Sequence, residues 1–293
     1  MTTVTHSTQN NTLGIWLMVA VTLVFAVQDG LSQYLASTYN VLMIVMIRYW
    51  FFAAFVIVIA TRRAGGVRAA AATRQPRLQA FRGLLLVGEI CVMVLSFTYL
   101  GLVETHAVFA CYPLLIAALS GPVLGEYVGW RRYAAVAVGF IGILIVLQPG
   151  LAVFSPYAIL PAFAALMFAL YGLLTRYAAR RDSAATSFFW TGTVGAVAIT
   201  LAGIWFWEPM VAPDWLFMAM LCVTGALGHF LLIKCYDVAE ASAVQPFAYL
   251  QLPFAISIGL LVFGETVEPH VLLGGGLIVS AGLFTLWRAR QKG

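Results

Sequence analysis

Residues 133–175 read YAAVAVGFIGILIVLQPGLAVFSPYAILPAFAALMFALYGLLT, a run without a single Asp, Glu, Lys or Arg. A bilayer core needs roughly 20 apolar residues per helix, so this run holds two membrane spans that turn at Gln148-Pro149-Gly150. A second uncharged run, residues 241–264, holds one more. The whole chain agrees with these two runs. It is 62% hydrophobic and 9% charged, with mean hydropathy +0.96, whereas about a quarter of the residues in an ordinary soluble domain are charged.

Working outward, hydropathy places spans at 13–36, 40–61, 80–101, 105–124, 131–148, 156–178, 186–207, 214–235, 240–263 and 269–288. The connections are short and leave no room for a separate soluble domain. The first dozen residues are polar and lack the basic start of a signal peptide, so the first span is expected to be retained. Every Lys and Arg except Arg48 falls in or beside alternate connections, and the opposite set has none. Under the positive-inside rule the basic connections and both termini are cytoplasmic. The pI near 9.1 therefore reports topology and anionic lipid headgroups rather than nucleic acid. Arg62, Arg63, Arg68, Arg74 and Arg77 form the longest basic connection, whose Ala-rich middle suits a short helix along the inner surface. The four cysteines, Cys91, Cys111, Cys222 and Cys235, all fall within spans and lack metal-ligand spacing, so neither a metal nor a disulfide is expected.

The chain repeats itself. Phe25-Ala26 leads to Leu31-Ser32-Gln33-Tyr34 and Ala36, and at the same spacing Phe168-Ala169 leads to Leu174-Thr175-Arg176-Tyr177 and Ala179. Glu104, Ala107, Val108, Pro113 and Gly125-Glu126 match Glu240, Ala243, Val244, Pro253 and Gly264-Glu265, with a small insertion in the later copy. Each half then carries five spans. Because five is odd, the second half enters the membrane upside down. The charge bias reverses accordingly: five Arg follow span 2, whereas only Glu208 and Asp214 follow span 7. The expected organisation is a tail over 1–12, a five-helix repeat over 13–148, an inverted repeat over 156–288 and a tail over 289–293. Inverted repeats suit secondary transporters that rock about a midplane site.

This ordered set, with Arg48-Tyr49-Trp50-Phe51-Phe52-Ala53 early in span 2 and an apolar Gly-Glu-x-Val segment in each half, resembles the drug/metabolite transporter superfamily, EamA type. Within that family the chain is most similar to the YddG-type exporters. The resemblance implies an all-α integral membrane protein of ten helices in two inverted repeats, sited in a bacterial inner membrane. It also implies export of small organic molecules, aromatic and other neutral amino acids first. The alternative is a drug or other metabolite exporter on the same scaffold, with proton coupling left open. Span 7 has no counterpart of Arg48, which departs from a symmetric arrangement.

Ionisable residues inside spans are costly, and each is a candidate for function. Asp29 and Arg48 lie nine or ten residues either side of the turn near Thr38, roughly 13 Å deep at 1.5 Å per residue. A Coulomb pair would satisfy both, either to fix spans 1 and 2 together or to meet the two charges of a zwitterion. Glu89 and His229, in the cytoplasmic halves of spans 3 and 8, are the candidates for proton coupling; a purely structural role for each is the alternative. Gln28, Tyr99, Tyr171, Trp190, Gln245 and Tyr249 complete the expected substrate cavity, since aromatic faces with a few amides suit a small, partly apolar ligand. Pro113, Pro246 and Pro253 are candidate hinges, because proline removes a helical hydrogen bond.

The chain contains no Walker loop, no His-Glu-x-x-His and no Cys-x-x-Cys. A carrier rather than an enzyme is expected, without a cofactor. Its partners are a small-molecule substrate and membrane lipid, and a monomer suffices.

Overall fold

The computed structural model describes residues 10–62, 65–125, 130–148, 155–239, 244 and 247–290. Every regular element among them is helical. Helix α1 (Asn11–Ala36) starts where the Asn10 side chain accepts from the Leu13 N–H at 2.9 Å, and α2 (Val41–Thr61) where Asn40 does the same for Leu42. The basic connection contains the short α3 (Gly66–Ala71), in the Ala-rich stretch expected to be helical.

Helix α4 (Pro76–Phe109) opens with Pro76, whose missing N–H costs nothing in a first turn. It runs through Gly101, whose φ of 74° and ψ of −178° break the helical course. Helices α5 (Tyr112–Leu124), α6 (Trp130–Leu147), α7 (Ile159–Ala178) and α8 (Ala184–Gly203) follow. Then come α9 (Asp214–Val238), α10 (Gln251–Val262) and α11 (Pro269–Arg290).

Six described helices are long and apolar enough to cross a membrane: Thr12–Ala36, Val41–Thr61, Pro76–Phe109, Pro156–Ala178, Ala184–Phe206 and Asp214–Cys235. Shorter apolar helices occupy Tyr112–Leu124, Tyr133–Val146, Gln251–Val262 and Pro269–Phe284. The expected boundary between spans 3 and 4 is therefore a break inside one continuous element rather than a loop. Spans 4 and 9 each end in a short helix, α5 or α10. Pro113 and Pro253 stand in the first turns of those helices, where proline is tolerated, not at mid-helix kinks. Pro246 lies outside the described residues.

The largest helix contacts are α1 with α9, α6 with α11, α4 with α7, and α2 with α8. Helix α10 packs on α1 and α4, and α5 packs on α7. The buried apolar core runs through α1, α2 and α4 and takes side chains from most of the remaining helices. Large apolar residues such as Trp16, Leu201, Trp205 and Leu261 stay exposed on the outside. An apolar exterior around a partly polar interior is what a bilayer solvent selects. The four cysteines are all free thiols.

Candidate functional site

At the meeting of α1, α2, α4, α7, α9 and α10 lies a cavity lined by Phe25, Gln28, Asp29, Arg48, Glu89, Ile90, Met93, Val94, Phe109, Phe168, His229 and Gln251. Its volume is about 40 Å³, room for a few waters but not for a metabolite, so this conformation is closed around the site. Gln28, Asp29, Arg48, Glu89 and His229 are all buried, between 5% and 7% exposed.

The polar groups form one connected network. Arg48 Nη2 donates to Gln28 Oε1 at 3.0 Å, and Gln28 Nε2 donates to Asp29 Oδ1 at 3.3 Å. Gln251 Nε2 donates to Asp29 Oδ2 at 3.1 Å, and His106 Nε2 lies 3.0 Å from the same oxygen. Asp29 therefore pairs with the His106 ring, and the expected direct pair with Arg48 is not formed. The Gln28 amide fills the gap, accepting from the cation and donating to the carboxylate. Helix α9 makes room for the guanidinium at Gly225, where a Cβ would sit 2.7 Å from Arg48 Nε.

The sequence reading thus places Gln28, Asp29, Arg48, Glu89 and His229 around one cavity. His229 is sandwiched, with its ring 5.2 Å from Phe25 and 6.0 Å from Phe52, nearly parallel to the latter. The other expected lining residues lie elsewhere. Tyr99 is half exposed and stacks on Tyr157 at 3.9 Å. Tyr171 is buried under Arg82, whose guanidinium carbon is 5.2 Å from the ring centre. Trp190 donates to the Ala71 carbonyl at 3.0 Å, beside the basic connection. Tyr249 is buried against Gly282, and Gln245 lies outside the described residues. In each case an aromatic ring in an apolar chain satisfies packing first. His106, Gln251 and the ring Phe109 were not singled out from sequence. For His106 the signal was available: it is an ionisable residue inside an expected span.

Both ends of the bundle are tied by side chains. On the side without Lys or Arg, the Glu265 carboxylate accepts from Leu102 N and Val103 N, each at 2.9 Å, and from Gln33 Nε2 at 2.8 Å. These backbone donors begin the helical run after the Gly101 break. A Cβ at Gly101 would lie 2.6 Å from Glu265 Oε1, so glycine is needed there for both the positive φ and the approach. Asp214 accepts from Tyr39 at 2.7 Å and Tyr34 at 3.2 Å, closing α1 and the turn before α2 onto α9.

On the basic side, Asp182 accepts from Thr73 Oγ1 at 2.5 Å, Gln79 Nε2 at 2.9 Å and Arg74 N at 3.0 Å. Partial burial raises its carboxyl pKa, but those hydrogen bonds and the Arg74 charge outweigh it, and the group sits below the usual carboxylate value. The buried Arg82 donates from Nε and Nη2 to Thr175 Oγ1 at 3.1 and 2.8 Å, and from Nη1 to Gln79 Oε1. Also on this side, a larger cavity of about 350 Å³ is lined by residues that include Val56, Ala60, Phe188, Phe230, Ile233 and Lys234. Phe188 packs on Phe52 at 4.8 Å, so an aromatic layer separates it from the central cavity.

With this geometry in view, comparison with known sequences is direct. The profile of the EamA-like transporter family matches residues 12–148 and again residues 155–287. The chain belongs to the EamA-like transporter family. It is 28% identical to a riboflavin transporter of Vibrio cholerae, over 95% of this chain and 94% of that protein. It is 24% identical to an S-adenosylmethionine uptake transporter of Rickettsia prowazekii, over 91% and 90% of the two chains. A crystal structure superposes with TM-score 0.64 over 97% of this chain and 99% of the other at 19% identity, a likeness of fold. The protein is a multi-pass membrane transporter of small metabolites. The site sets aromatic faces beside charged and amide side chains, a lining suited to binding. Among the described residues no cluster of three potential metal ligands occurs.

Proposed function

We propose that this EamA-like carrier moves a small metabolite that combines a flat ring with a polar tail, by alternating access through the central cavity. The observation that carries this reading is the cavity lining itself: Phe25, Phe109 and Phe168 face the Arg48–Gln28–Asp29–Gln251 network. Rings bury a planar body, and the amides and charges orient its polar end. Riboflavin and S-adenosylmethionine, carried by relatives, both join a fused nitrogen heterocycle to a hydroxylated five-carbon chain or sugar, so that class comes first.

Aromatic and neutral amino acids, moving outward, form the second reading. It is favoured by the opposite charges of Arg48 and Asp29 on either side of Gln28, which suit a zwitterion.

Two inverted five-helix repeats in an inner membrane, with cytoplasmic termini, are part of the proposal. The helix contacts support them. Relating each of the first five spans to the span five later turns α1·α9 into α7·α4 and α5·α7 into α10·α1, and leaves α2·α8 and α6·α11 unchanged; all of these are contacts of the fold. In this scheme α5, α10 and their proline-bearing first turns are the moving parts.

The test is counterflow in proteoliposomes with labelled riboflavin, S-adenosylmethionine and phenylalanine. Saturable exchange of either of the first two supports the ring-and-tail reading. Exchange of phenylalanine alone, competed by methionine, supports the amino-acid reading instead. Exchange of none of them by folded protein defeats both. Arg48→Gln and Gln251→Ala are expected to weaken exchange at least tenfold; wild-type kinetics in both would move the site elsewhere.

A further inference from the structure

The ring of His106 is held between two oxygens. Nδ1 is 3.1 Å from the Leu102 carbonyl, and Nε2 is 3.0 Å from Asp29 Oδ2. Both oxygens are acceptors by chemistry, yet a neutral imidazole has one N–H to offer and would turn a lone pair on the other. One added proton resolves the conflict. It makes His106 an imidazolium that donates on both sides, or it makes Asp29 a carboxylic acid that donates to Nε2. Asp29 also accepts from the Gln28 and Gln251 amides, which favours the first form. His106 is 2% exposed, so its ring nitrogens depend on these two partners.

We infer that Asp29 and His106 together form the proton-binding site of this carrier, and that the proton locks the closed conformation. The lock is local and double. Asp29 and Gln33 lie four residues apart on α1, hence on one face. Asp29 holds His106 of α4, and Gln33 holds Glu265, which in turn holds the Leu102 and Val103 N–H groups of α4. Parting α1 from the segment after Gly101 breaks both ties and removes the partner that keeps the proton. Protonation and closure are therefore linked, and a substrate that draws Gln28 or Gln251 off Asp29 bears on both.

The charged groups that face the pair are few. Arg48 of α2, Glu89 of α4 and His229 of α9 line the same cavity without bonding to the pair. Helix α7 contributes Phe168, α10 contributes Gln251, and Tyr112 of α5 stands behind Phe109 at 5.2 Å. Glu104 of α4 and His270 of α11 line a separate recess. The site thus differs from the pair expected from sequence, Glu89 and His229.

The coupling half of this inference rests on the carrier reading; the proton site does not, and the two are tested apart. Nitrogen-15 NMR of histidine-labelled protein at about pH 7, with infrared spectra of the carboxyl region, reads the proton without any substrate. The expected result is an imidazolium signal lost in His106→Gln and shifted to neutral in Asp29→Asn. A protonated-carboxyl band lost in Asp29→Asn serves equally. A neutral His106 beside an ionised Asp29 overturns the site.

Coupling is read in proteoliposomes containing a pH dye, with whichever of the three probes exchanges. Substrate flux should carry protons in wild type and in His270→Gln, whose ring lines a separate recess, and not in His106→Gln. A one-unit pH step should drive about tenfold accumulation per proton. Substrate flux without proton flux in wild type overturns the coupling and leaves the carrier reading intact. No flux of any probe defeats the carrier reading, while the NMR result stands on its own.

Discussion

Replacing Glu265 with Ala should loosen the bundle at the side without Lys or Arg. The carboxylate accepts three hydrogen bonds, two from the Leu102 and Val103 N–H groups and one from the Gln33 amide. Those two N–H groups follow a residue with φ of 74°, so the helix itself offers them no acceptor one turn earlier. A capping substitution costs about 0.5–2 kcal/mol, and a buried donor left without a partner about 1–3 kcal/mol. Glu265 is half-buried and water recovers part of that loss, which leaves an expected cost of about 2–3 kcal/mol. At roughly 2–4 °C per kcal/mol for chains above about 150 residues, the melting temperature should fall by about 4–12 °C. Glu265→Gln keeps one acceptor and turns an NH₂ toward a donor, and should lie between wild type and Ala. The exposed Glu268→Gln is the control, with a change within about 0.5 kcal/mol. The eight tryptophans report unfolding by intrinsic fluorescence in detergent or nanodiscs. Coincident melts for wild type and Glu265→Ala would show that the clasp does not hold these elements together.

Three further outcomes follow from other contacts. Asp182→Asn should lower the melting temperature at neutral pH. Because the Asp182 carboxyl is depressed below its usual value of about 3.9, its contribution is complete above that pH and lost as pH falls through the lower folded value. The gap between variant and wild type should therefore close only in strong acid, which melts taken across a pH series would show. Gly225→Ala puts a methyl 2.7 Å from Arg48 Nε. It should cost about 1–3 kcal/mol by overpacking and reduce counterflow, whereas Gly172→Ala, with 3.6 Å of clearance to Ile116, should do neither. Arg82→Ala strands Gln79 and Thr175 in a buried site and should cost about 2–4 kcal/mol. Arg82→Lys, which keeps the charge without the fork, should fall between, as judged by the same melts.

Much of this architecture was legible because bilayer solvation leaves a coarse and redundant signal. Runs such as 133–175 can only be buried in lipid or protein, and eight of the expected spans coincide with helices to within a few residues, apart from the join at Gly101. The shared depth of Asp29 and Arg48 followed from helical rise alone, and both do face one cavity. Their bonding did not follow, because depth says nothing about rotation. Gln28, one residue from Asp29, lies between the two charges, and His106, far along the chain, takes the carboxylate. The aromatic residues were the least legible. Tyr99, Tyr171 and Trp190 could each have faced substrate, but stacking on Tyr157, covering Arg82 and bonding Ala71 are equally good uses of a ring. Glu265 was visible as part of a repeated Gly-Glu-x-Val segment, yet its role depends on a backbone break that only Gly101 signalled.

That break explains why the outer clasp and the central cavity cannot behave independently. Leu102 gives its N–H to Glu265 and its carbonyl to His106. One residue therefore stands between the end of the bundle and the carboxylate at its centre. Seven residues later the same helical run carries Phe109 into the cavity wall. A helix segment of this length transmits a tilt as a rigid rod, and Gly101 supplies the swivel because it alone tolerates its φ without strain. Any rotation that frees Leu102 from Glu265 must also move the His106 ring off Asp29 and shift Phe109 against Phe168, its neighbour at 5.6 Å. A cavity of about 40 Å³ is too small for the proposed cargo, so under the proposed alternating access the site has to widen, and the Gly101 segment is one place where it can.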